Sequence, residues 1–478
     1  MQSMPMTERR APGPRAPLLL LALVPLADLL IWQVGTPRLA FVMFAISLTA
    51  AAQLLAGPGI GRRAVCMAWG GLGIAVLPLV EEVQFLSVLF ALAGLIHAAG
   101  WCVAGSDAAW AQAIRAGLRL FRQGAIRIFL DLFGFGQAAS ERRTSRATLA
   151  RNWALPVGLG GLFVLLLLGA NPVLDRWLQS FANWSPQFGL NLTRFGFWLG
   201  MGGLIWPFLR LDILRPALIG PPRSQRGVTL PEILLNPGSV LRALLTFNLI
   251  FALQTGLDLT YLWGGVSLPA GMSFATYAHR GAYPLLATAL LAGGFALIAQ
   301  PFLPGRPLLR GLLYVWVAQN ILLVASSILR LDLYVDAYGL TRLRFAAFIW
   351  MGLVVAGLVL MVWQIARGKP VGWLFARAGL LGLGTVYICC FINVAGLIAR
   401  HNLDRPDHVF DVYYLCSLGD GAIPAIAQAT ATTGQTICWD TALTIKAPQD
   451  LREWGYRNTR LRNSLAAMAA RTTVRTNP

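Results

Sequence analysis

The sequence predicts an all-α, polytopic integral membrane helix bundle, and three observations lead to this prediction. The 478-residue chain is only 12% charged, whereas soluble domains average about 25% charged residues. It is 56% hydrophobic, and its mean hydropathy is +0.62. The apolar residues come in runs of about 17 or more, each long enough to cross a bilayer, and about eleven such runs can be identified.

The basic charge of the chain is explained by its topology in a membrane. The net charge is +19, and the arginines lie mostly in short segments between the apolar runs. Arginine and lysine in such segments orient a membrane protein, since they are retained on the cytoplasmic side. The sequence contains no basic patch on a recognisable nucleic-acid-binding fold. We therefore expect the lipid bilayer as a partner and no nucleic acid.

The N-terminal part is predicted to be a disordered basic stretch over residues 1–16 and a four-span membrane region over residues 17–105. The first span is interpreted as a retained helix, because many spans follow it and no small-residue cleavage site is clear. Asp28 in this span is expected to face the bundle interior or the membrane surface. His97 in the fourth span is interpreted as a hydrogen-bonded structural residue. The N-terminus is expected in the cytoplasm.

Residues 106–152 are predicted to form a cytoplasmic basic amphipathic segment. Arg115, Arg119, Arg122 and Arg127 alternate there with leucine, isoleucine and phenylalanine, and the stretch from Asp107 to Arg151 holds eight arginines against three acids. This pattern is typical of a helix that lies in an anionic membrane interface, so residues 106–135 are expected to bind anionic lipids. A helix that binds a partner protein is the alternative.

The remainder is predicted to comprise a membrane core of about seven spans over residues 153–398 and a small polar, helical C-terminal module over residues 399–478. The last span is expected at about residues 379–398. An odd number of spans with the N-terminus inside places the module outside the cytoplasm. Three arginines in the 330–344 segment disagree with that assignment, because this segment would then also lie outside.

The six cysteines fall into two groups. Four lie in apolar runs, where they are most simply small buried hydrophobes: Cys66, Cys102, Cys389 and Cys390. Cys416 and Cys438 lie in the polar tail, and they are a candidate disulfide if the tail faces an oxidising compartment. The spacing of the cysteines matches no zinc site, and no metal is expected.

A first polar cluster lies around an apolar helix within residues 247–283. Gln254, Asp258 and Tyr261 fall within about 60° of one another on a helix, so they form one polar stripe. Tyr277, His279 and Arg280 crowd the entrance to the next apolar run. An Asp–Arg pair with a titrating histidine could bind a polar solute or relay protons. An ion-paired helix cap with interfacial tyrosines is the alternative.

A second polar cluster follows the next long span. If this region is helical, Asp332 and Asp336 share one face, as do Tyr334 and Tyr338. The two carboxylates could hold a cation, although pairing with nearby arginines is the more common arrangement. The first and second clusters together are the predicted residues of one candidate polar cavity: Gln254, Asp258, Tyr261, Tyr277, His279, Arg280, Asp332, Tyr334, Asp336 and Tyr338.

No signature of catalysis occurs in the sequence. It contains no phosphate-binding loop, dinucleotide fingerprint, nucleophile elbow or metalloprotease helix. Ligand-type residues around His401 and Asp404 match no zinc spacing and are interpreted as a solvated linker. No cofactor and no catalytic residue is therefore expected.

Three stretches resemble a bacterial family of polytopic membrane proteins, the domain-of-unknown-function 4173 type, which is related to a 4153 type. They are TYLWGG with YAHRGAYPLLATALLAG, YVDAYGLTRLRFAAFIWM, and NVAGLIARHNLDR with DVYYLCSLGDGAIPAI. The resemblance covers the chain from about residue 230 onward. It implies a location in the bacterial inner membrane and a short polar C-terminal module, and it carries over no activity.

From these observations we expect a non-enzymatic envelope protein that senses or scaffolds, with an outward-facing polar cavity. The alternative is a transporter of a small polar or anionic solute. Transporters often have two matching halves with broken helices at corresponding positions, and the glycines at 264 and 265 have no obvious counterpart in the first half. A membrane-embedded transferase is a third alternative, for which His279 is the candidate reactive group. Protein partners are not predicted.

Overall fold

A computed structural model describes residues 15–132, 192–211, 236–264, 288, 290–405, 411–438 and 444–476. Every regular element within these ranges is helical, so the predicted all-α helix bundle is confirmed. Three predicted residues of the polar cavity, Tyr277, His279 and Arg280, lie outside the described residues. The predicted fifth span, at about residues 153–170, also lies outside them.

The described chain divides into two compact units, which we treat separately. The first comprises residues 1–222 together with 448–457, and the second comprises residues 223–447 together with 458–478. The helices of the first unit are α1 (Arg15–Ala27, continued as a π-helix over Asp28–Trp32), α2 (Leu39–Ala56), α3 (Arg62–Glu81), α4 (Phe85–Ala104), α5 (Trp110–Leu132) and α6 (Leu192–Leu209).

The second unit continues the numbering. Its helices are α7 (Pro237–Leu257, continued as a π-helix over Asp258–Trp263), α8 (Leu290–Phe302), α9 (Pro307–Tyr338), α10 (Arg342–Ala366), α11 (Val371–Cys389), α12 (Val394–Leu403), α13 (Val412–Cys416), α14 (Ile423–Thr433) and α15, which runs over Tyr456–Thr476 and belongs to this unit from residue 458 onward.

Eight of these helices are long and apolar enough to cross a bilayer: α1, α2, α3, α4, α7, α9, α10 and α11. Because several helices of this kind recur along the chain, it is a multi-pass membrane protein. Helices α6 and α8 are apolar but do not reach the same length or hydropathy. The predicted number of about eleven spans includes segments beyond the described residues.

In the first unit, α4 and α5 approach each other closely through glycine. A methyl group on Gly100 would lie 2.1 Å from the carbonyl oxygen of Ala113, and one on Gly117 would lie 2.1 Å from that of Ile96. Small residues at such crossings let helix backbones pack directly in a membrane. The predicted amphipathic segment therefore contains a helix that packs within the bundle, and binding of anionic lipids by its exposed Arg115 and Arg119 stays a prediction.

In the second unit, two apolar clusters mark the two ends of the helices. One joins the beginnings of α7, α9 and α11 to the ends of α8 and α10. The other joins the end of α9 and the first half of α10 to α12, α13 and α14. The helices thus alternate in direction, and residues after α11 fold back onto the end of α9. We call residues 394–405 and 411–438 the cap.

The predicted last span is wrong in its bounds. It was expected at about residues 379–398, but α11 begins at Val371 and ends at Cys389, and α12 is a separate helix. The sequence predicts that Arg377 lies in the loop before the span, but Arg377 lies within α11. Its guanidinium is 5.9 Å from the ring centre of Trp373. An arginine that covers an aromatic ring near a helix end can remain in an otherwise apolar helix.

The predicted division into segments stays a prediction, although the compact units follow other boundaries. Residues 448–457 pack within the first unit, where Arg457 Nε donates to Glu81 Oε1 at 2.9 Å and a second nitrogen of Arg457 binds Glu82. The cap shares an apolar cluster with the membrane helices α9 and α10. The polar tail is therefore packed against membrane helices in more than one place.

Candidate functional site

The polar stripe predicted on the first cluster is present at the end of α7. Gln254 Nε2 donates to Asp258 Oδ1 at 2.9 Å, as expected for residues four apart on one helix face. Asp258 is the residue at which α7 changes from α-helix to π-helix. Such π-helical turns are frequent at functional sites. Tyr261 lies on this turn, and its side chain is outside the description.

Asp258 forms a buried ion pair with Arg330 of α9. The two side chains are only 3% and 4% exposed. A carboxylate and a guanidinium in an apolar surrounding are stable only when they compensate each other, because each alone would lose its hydration. The pair therefore fixes the position of α7 against α9. Next to it, the indole nitrogen of Trp263 donates to Ser326 Oγ at 3.1 Å.

A polar seam continues from this pair along the contact between α7 and α9. Asn248 Nδ2 donates to the carbonyl oxygen of Leu312 at 3.1 Å, and Gln319 Nε2 donates to that of Asn248 at 3.3 Å. Asn248, Gln319 and fully buried Asn320 each keep a buried side-chain oxygen that accepts no hydrogen bond from any residue that the structure describes. Buried acceptors without a donor are rare, so these oxygens can bind water or a polar solute.

The contacts along the seam establish that α7 and α9 run parallel. Asn248 meets the first half of α9, and Asp258 meets Arg330 in its second half. Arg330 lies eight residues before the end of α9, so the ion pair is about 12 Å along the helix from the end that carries the cap. The polar centre and the cap thus belong to the same end of the second unit.

The second predicted cluster is helical, and its members lie on two faces as expected. Tyr334 and Tyr338 are neighbours, with ring centres 4.7 Å apart, and the guanidinium of Arg344 lies 4.4 Å from the ring centre of Tyr334. On the other face, Asp336 pairs with Arg405 of the cap at 2.5 Å. This pair is 46% and 38% exposed, so it contributes little to stability.

The acidic residues of this cluster lie near His401 in the cap. Burial lowers the pKa of His401, and the charge of Arg405 lowers it further, whereas Asp336, Asp332 and Asp404 act in the opposite direction. The imidazole is therefore largely neutral at pH 7. No group of three or more histidine, cysteine or acidic side chains within the described ranges is arranged to hold a metal ion. The suggested cation site at Asp332 and Asp336 gains no support.

Asn402 of α12 holds the cap onto the turn between α9 and α10. Its side-chain oxygen accepts from the backbone nitrogen of Leu340 at 2.7 Å, and its side-chain nitrogen donates to the Leu340 carbonyl at 3.0 Å. Gly339, which precedes Leu340, has a φ of +75°, and a side chain on Gly339 would crowd Asn402. Arg342 adds a hydrogen bond of 2.6 Å to the carbonyl oxygen of Leu418. The cap and α9 are therefore directly joined.

Cys416 and Cys438 lie within disulfide distance in the cap. Their Cα atoms are 5.9 Å apart, and the structure joins them in a bond that closes 22 residues. The bond connects the end of α13 to the stretch that follows α14. Closing such a loop restricts the unfolded chain, which stabilises a small folded segment.

A similar polar centre occurs in the first unit. Asp28 is buried at the start of the π-helical turn that ends α1, and Arg194 of α6 binds it with two nitrogens, one at 2.8 Å. Trp198 Nε1 and Gln33 Nε2 also donate to it, at 2.9 and 3.0 Å. Asp28 thus faces the helix bundle, which is one of the two positions expected for it.

Sequence reasoning found the acid of the main site but missed its partner. Asp258 was matched with Arg280, which lies outside the described residues, whereas Arg330 is the partner seen. Arg330 lies 72 residues away and appeared to belong to the second cluster. A charged residue within an apolar run was the available signal. Asn248, Gln319 and Asn320 were also missed, because single amides in apolar helices are common.

Comparison with known proteins gives one match. The model of the family described as domain of unknown function (DUF4153) matches residues 68–429, about three quarters of the chain. This is the 4153 type, and the expected assignment to the 4173 type is not shown. The matched range includes Asp258, Arg330 and most of the cap. No curated protein and no solved structure matches the chain.

The Asp258–Arg330 pair predicts a strong energetic coupling between the two positions. Asp258→Asn removes the carboxylate that faces Arg330 in an apolar surrounding, and we expect this to destabilise the protein by about 3–5 kcal/mol. The double variant with Arg330→Gln should lose less than the sum of the two single losses. Thermal unfolding of detergent-purified protein, read by size-exclusion chromatography, measures this.

A matched control is the same substitution at an exposed pair. Asp450→Asn removes the carboxylate that Arg452 binds, and the two side chains are 40% and 29% exposed, so the melting temperature should change little. The coupling would be contradicted if the loss of stability in the double variant of Asp258 and Arg330 equalled the sum of the losses in the two single variants.

Proposed function

The chain belongs to the family described as domain of unknown function (DUF4153), and we propose that it is a non-enzymatic sensing protein of the bacterial inner membrane. In this proposal the cap lies outside the cytoplasm and responds to a change there. Helix α9 passes the change to the polar centre at Asp258 and Arg330. The observation that carries the proposal is the direct attachment of the cap to α9, through Asn402 and one apolar cluster.

The distribution of charge in the second unit supports this orientation. The end of the unit opposite the cap carries basic residues in its turns and helix starts, among them Arg306, Arg310, Arg367 and Lys369. That bias is typical of the cytoplasmic side. The arginines near the cap, which seemed to disagree, have structural partners: Arg330 binds Asp258, Arg342 binds Leu418, and Arg344 covers Tyr334. They therefore carry little information on topology.

The disulfide of the cap gives independent support. Disulfides persist in oxidising compartments and are rare in the cytoplasm, where thiols are kept reduced. The Cys416–Cys438 bond therefore supports a cap outside the cytoplasm.

Labelling of thiols in intact cells tests the side of the cap. In a variant whose other four cysteines are replaced by alanine, a membrane-impermeant maleimide should label Cys416 and Cys438 only after reduction. This outcome is expected because the disulfide first has to open before the reagent can react. Labelling that requires lysis of the cells would put the cap in the cytoplasm, and the sensing proposal would then fail.

Hydrogen exchange tests the coupling between the polar centre and the cap. Because linkage between sites is reciprocal, a change at Asp258 has to alter the cap if the cap can alter Asp258. We expect Asp258→Asn to speed exchange of cap amides by about fivefold or more, with α3 and α4 unchanged. Mass spectrometry of the purified protein measures both.

The matched control is Asp28→Asn, which removes a buried carboxylate of the same kind from the first unit. It should leave the exchange of the cap unchanged. If Asp258→Asn alters α7 and α9 but not the cap, the two regions are not coupled and the cap has a scaffolding role instead.

Transport of a small polar solute is a second candidate, which one observation favours. Each unit contains an apolar helix that turns π-helical at an aspartate, and each aspartate binds an arginine of another helix in its unit. Broken helices at corresponding positions are a feature of many transporters. In the sequence, the glycines at 264 and 265 after α7 have no obvious counterpart in the first half. The π-helical turn that begins at Asp28 is a counterpart to the π-helical turn at the end of α7. The unsatisfied oxygens along the polar seam are further support.

Uptake into vesicles separates transport from sensing. Vesicles with and without the protein would be given a mixture of small polar solutes, and their contents would be identified by mass spectrometry. Transport predicts enrichment of a solute that Asn320→Leu abolishes, since this change closes the seam without removing a charge. Equal contents in both kinds of vesicle would leave sensing as the better proposal.

A further inference from the structure

A pocket of about 470 Å³ lies in the second unit, outside the membrane-spanning helices. Its volume falls within the range of about 300–1,000 Å³ that is typical of small-molecule sites. Helices α12, α14 and α15 and the turn before α14 contribute its walls. The lining residues are Asn393, Gly396, Leu397, Arg400, Gly421, Pro424, Ala425, Arg460, Leu461 and Ser464.

The charge of this pocket is positive. Arg400 and Arg460 line it from different helices, and none of its lining residues is acidic. The side chain of Arg400 makes no hydrogen bond or ion pair within the described part of the chain. Guanidinium binds phosphate and carboxylate through paired hydrogen bonds.

Two helix starts add to the positive potential. The first turn of α12 lines the pocket, and so does the first turn of α14. The beginning of α12 is capped by Asn393, whose oxygen accepts from Gly396, whereas that of α14 has no side-chain cap. Uncapped backbone N–H groups at a helix start attract anions. Pro424 and Ala425 of the first turn of α14 line the same pocket as the two arginines.

Two glycines shape part of the pocket wall. A methyl group on Gly396 would lie 2.8 Å from the carbonyl oxygen of Gly421, and one on Gly421 would lie 2.4 Å from the side-chain oxygen of Asn393. Asn393 Nδ2 donates to the Gly421 carbonyl at 2.9 Å, so its amide is fully used within the wall. Leu397, Pro424 and Leu461 supply apolar surface beside these groups.

We propose that this pocket binds a small organic anion, with a phosphate or carboxylate group between Arg400 and Arg460. An apolar part of the ligand lies against Leu397, Pro424 and Leu461. A bare inorganic ion would leave most of the pocket empty, and a neutral molecule would leave the guanidinium of Arg400 without a counterion among the described residues. Binding here does not depend on the sensing role, although it would provide the cap with a ligand.

Binding to purified full-length protein in lipid-free detergent tests the proposal. The probes are hexyl phosphate, hexanoate, inorganic phosphate and neutral hexanol, at matched ionic strength in chloride. Ligands that bind only the folded state raise the melting temperature. We expect hexyl phosphate and hexanoate to raise it more than inorganic phosphate does, and hexanol not to raise it.

Variants assign the effect to the pocket. Arg400→Gln and Arg460→Gln should each weaken the apparent affinity about tenfold or more, because a charge-assisted hydrogen bond is lost. Arg400→Lys should retain part of it, which guards against a change that only affects folding. Arg462→Gln is the matched control, since this arginine is on the same helix but does not line the pocket.

A separate measurement distinguishes a free solute from a lipid headgroup. Phospholipid that remains bound after purification would be quantified by mass spectrometry in the native protein and in the double variant of Arg400 and Arg460. If the native protein retains acidic lipid and the double variant loses it, the anion is a lipid headgroup. If both proteins retain the same amount of lipid and the native protein still binds the probes, the anion is a soluble ligand. The proposal would be overturned if hexyl phosphate and hexanoate raised the melting temperature no more than chloride alone does. It would also be overturned if they raised the melting temperature of the double variant equally.

Discussion

The buried ion pair of Asp258 and Arg330 constrains the second unit by joining α7 to α9. Neither charge could remain alone among apolar helices, so α7 and α9 are held in one register. Because the two helices run parallel, this register also aligns Asn248 with Gln319. The end of α9 is then positioned for the cap, which binds the turn after it. A change at the pair would have to be accommodated by the whole of α9.

The sequence predicts well those features that repeat along a helix. Four-residue spacing places Gln254 beside Asp258 and Tyr334 beside Tyr338, and both contacts are present. Partners that come from distant segments are not predictable in this way. Arg330 and Arg194 lie 72 and 166 residues from the aspartates that they bind. Nothing in local periodicity selects one arginine over another in a chain with so many.

The boundaries of α11 illustrate a second limit. A window of hydropathy treats Arg377 as the end of a loop, because an arginine in a membrane helix is costly. In the structure its charge lies over Trp373, close to the start of the helix, where it can reach the membrane surface. The π-helical turns at Asp28 and Asp258 are likewise invisible to an α-helical period, since each adds a residue to its turn.

The arrangement of the cap bears on what kind of protein this is. Here the pocket with Arg400 lies on α12, and Asn402 of the same helix, two residues further on, binds the turn at the end of α9. A ligand that shifts α12 therefore acts on the helix that carries Arg330. The contacts of the cap with the turn after α9, and of α9 with Asp258, are the arrangement that the proposed sensing role needs.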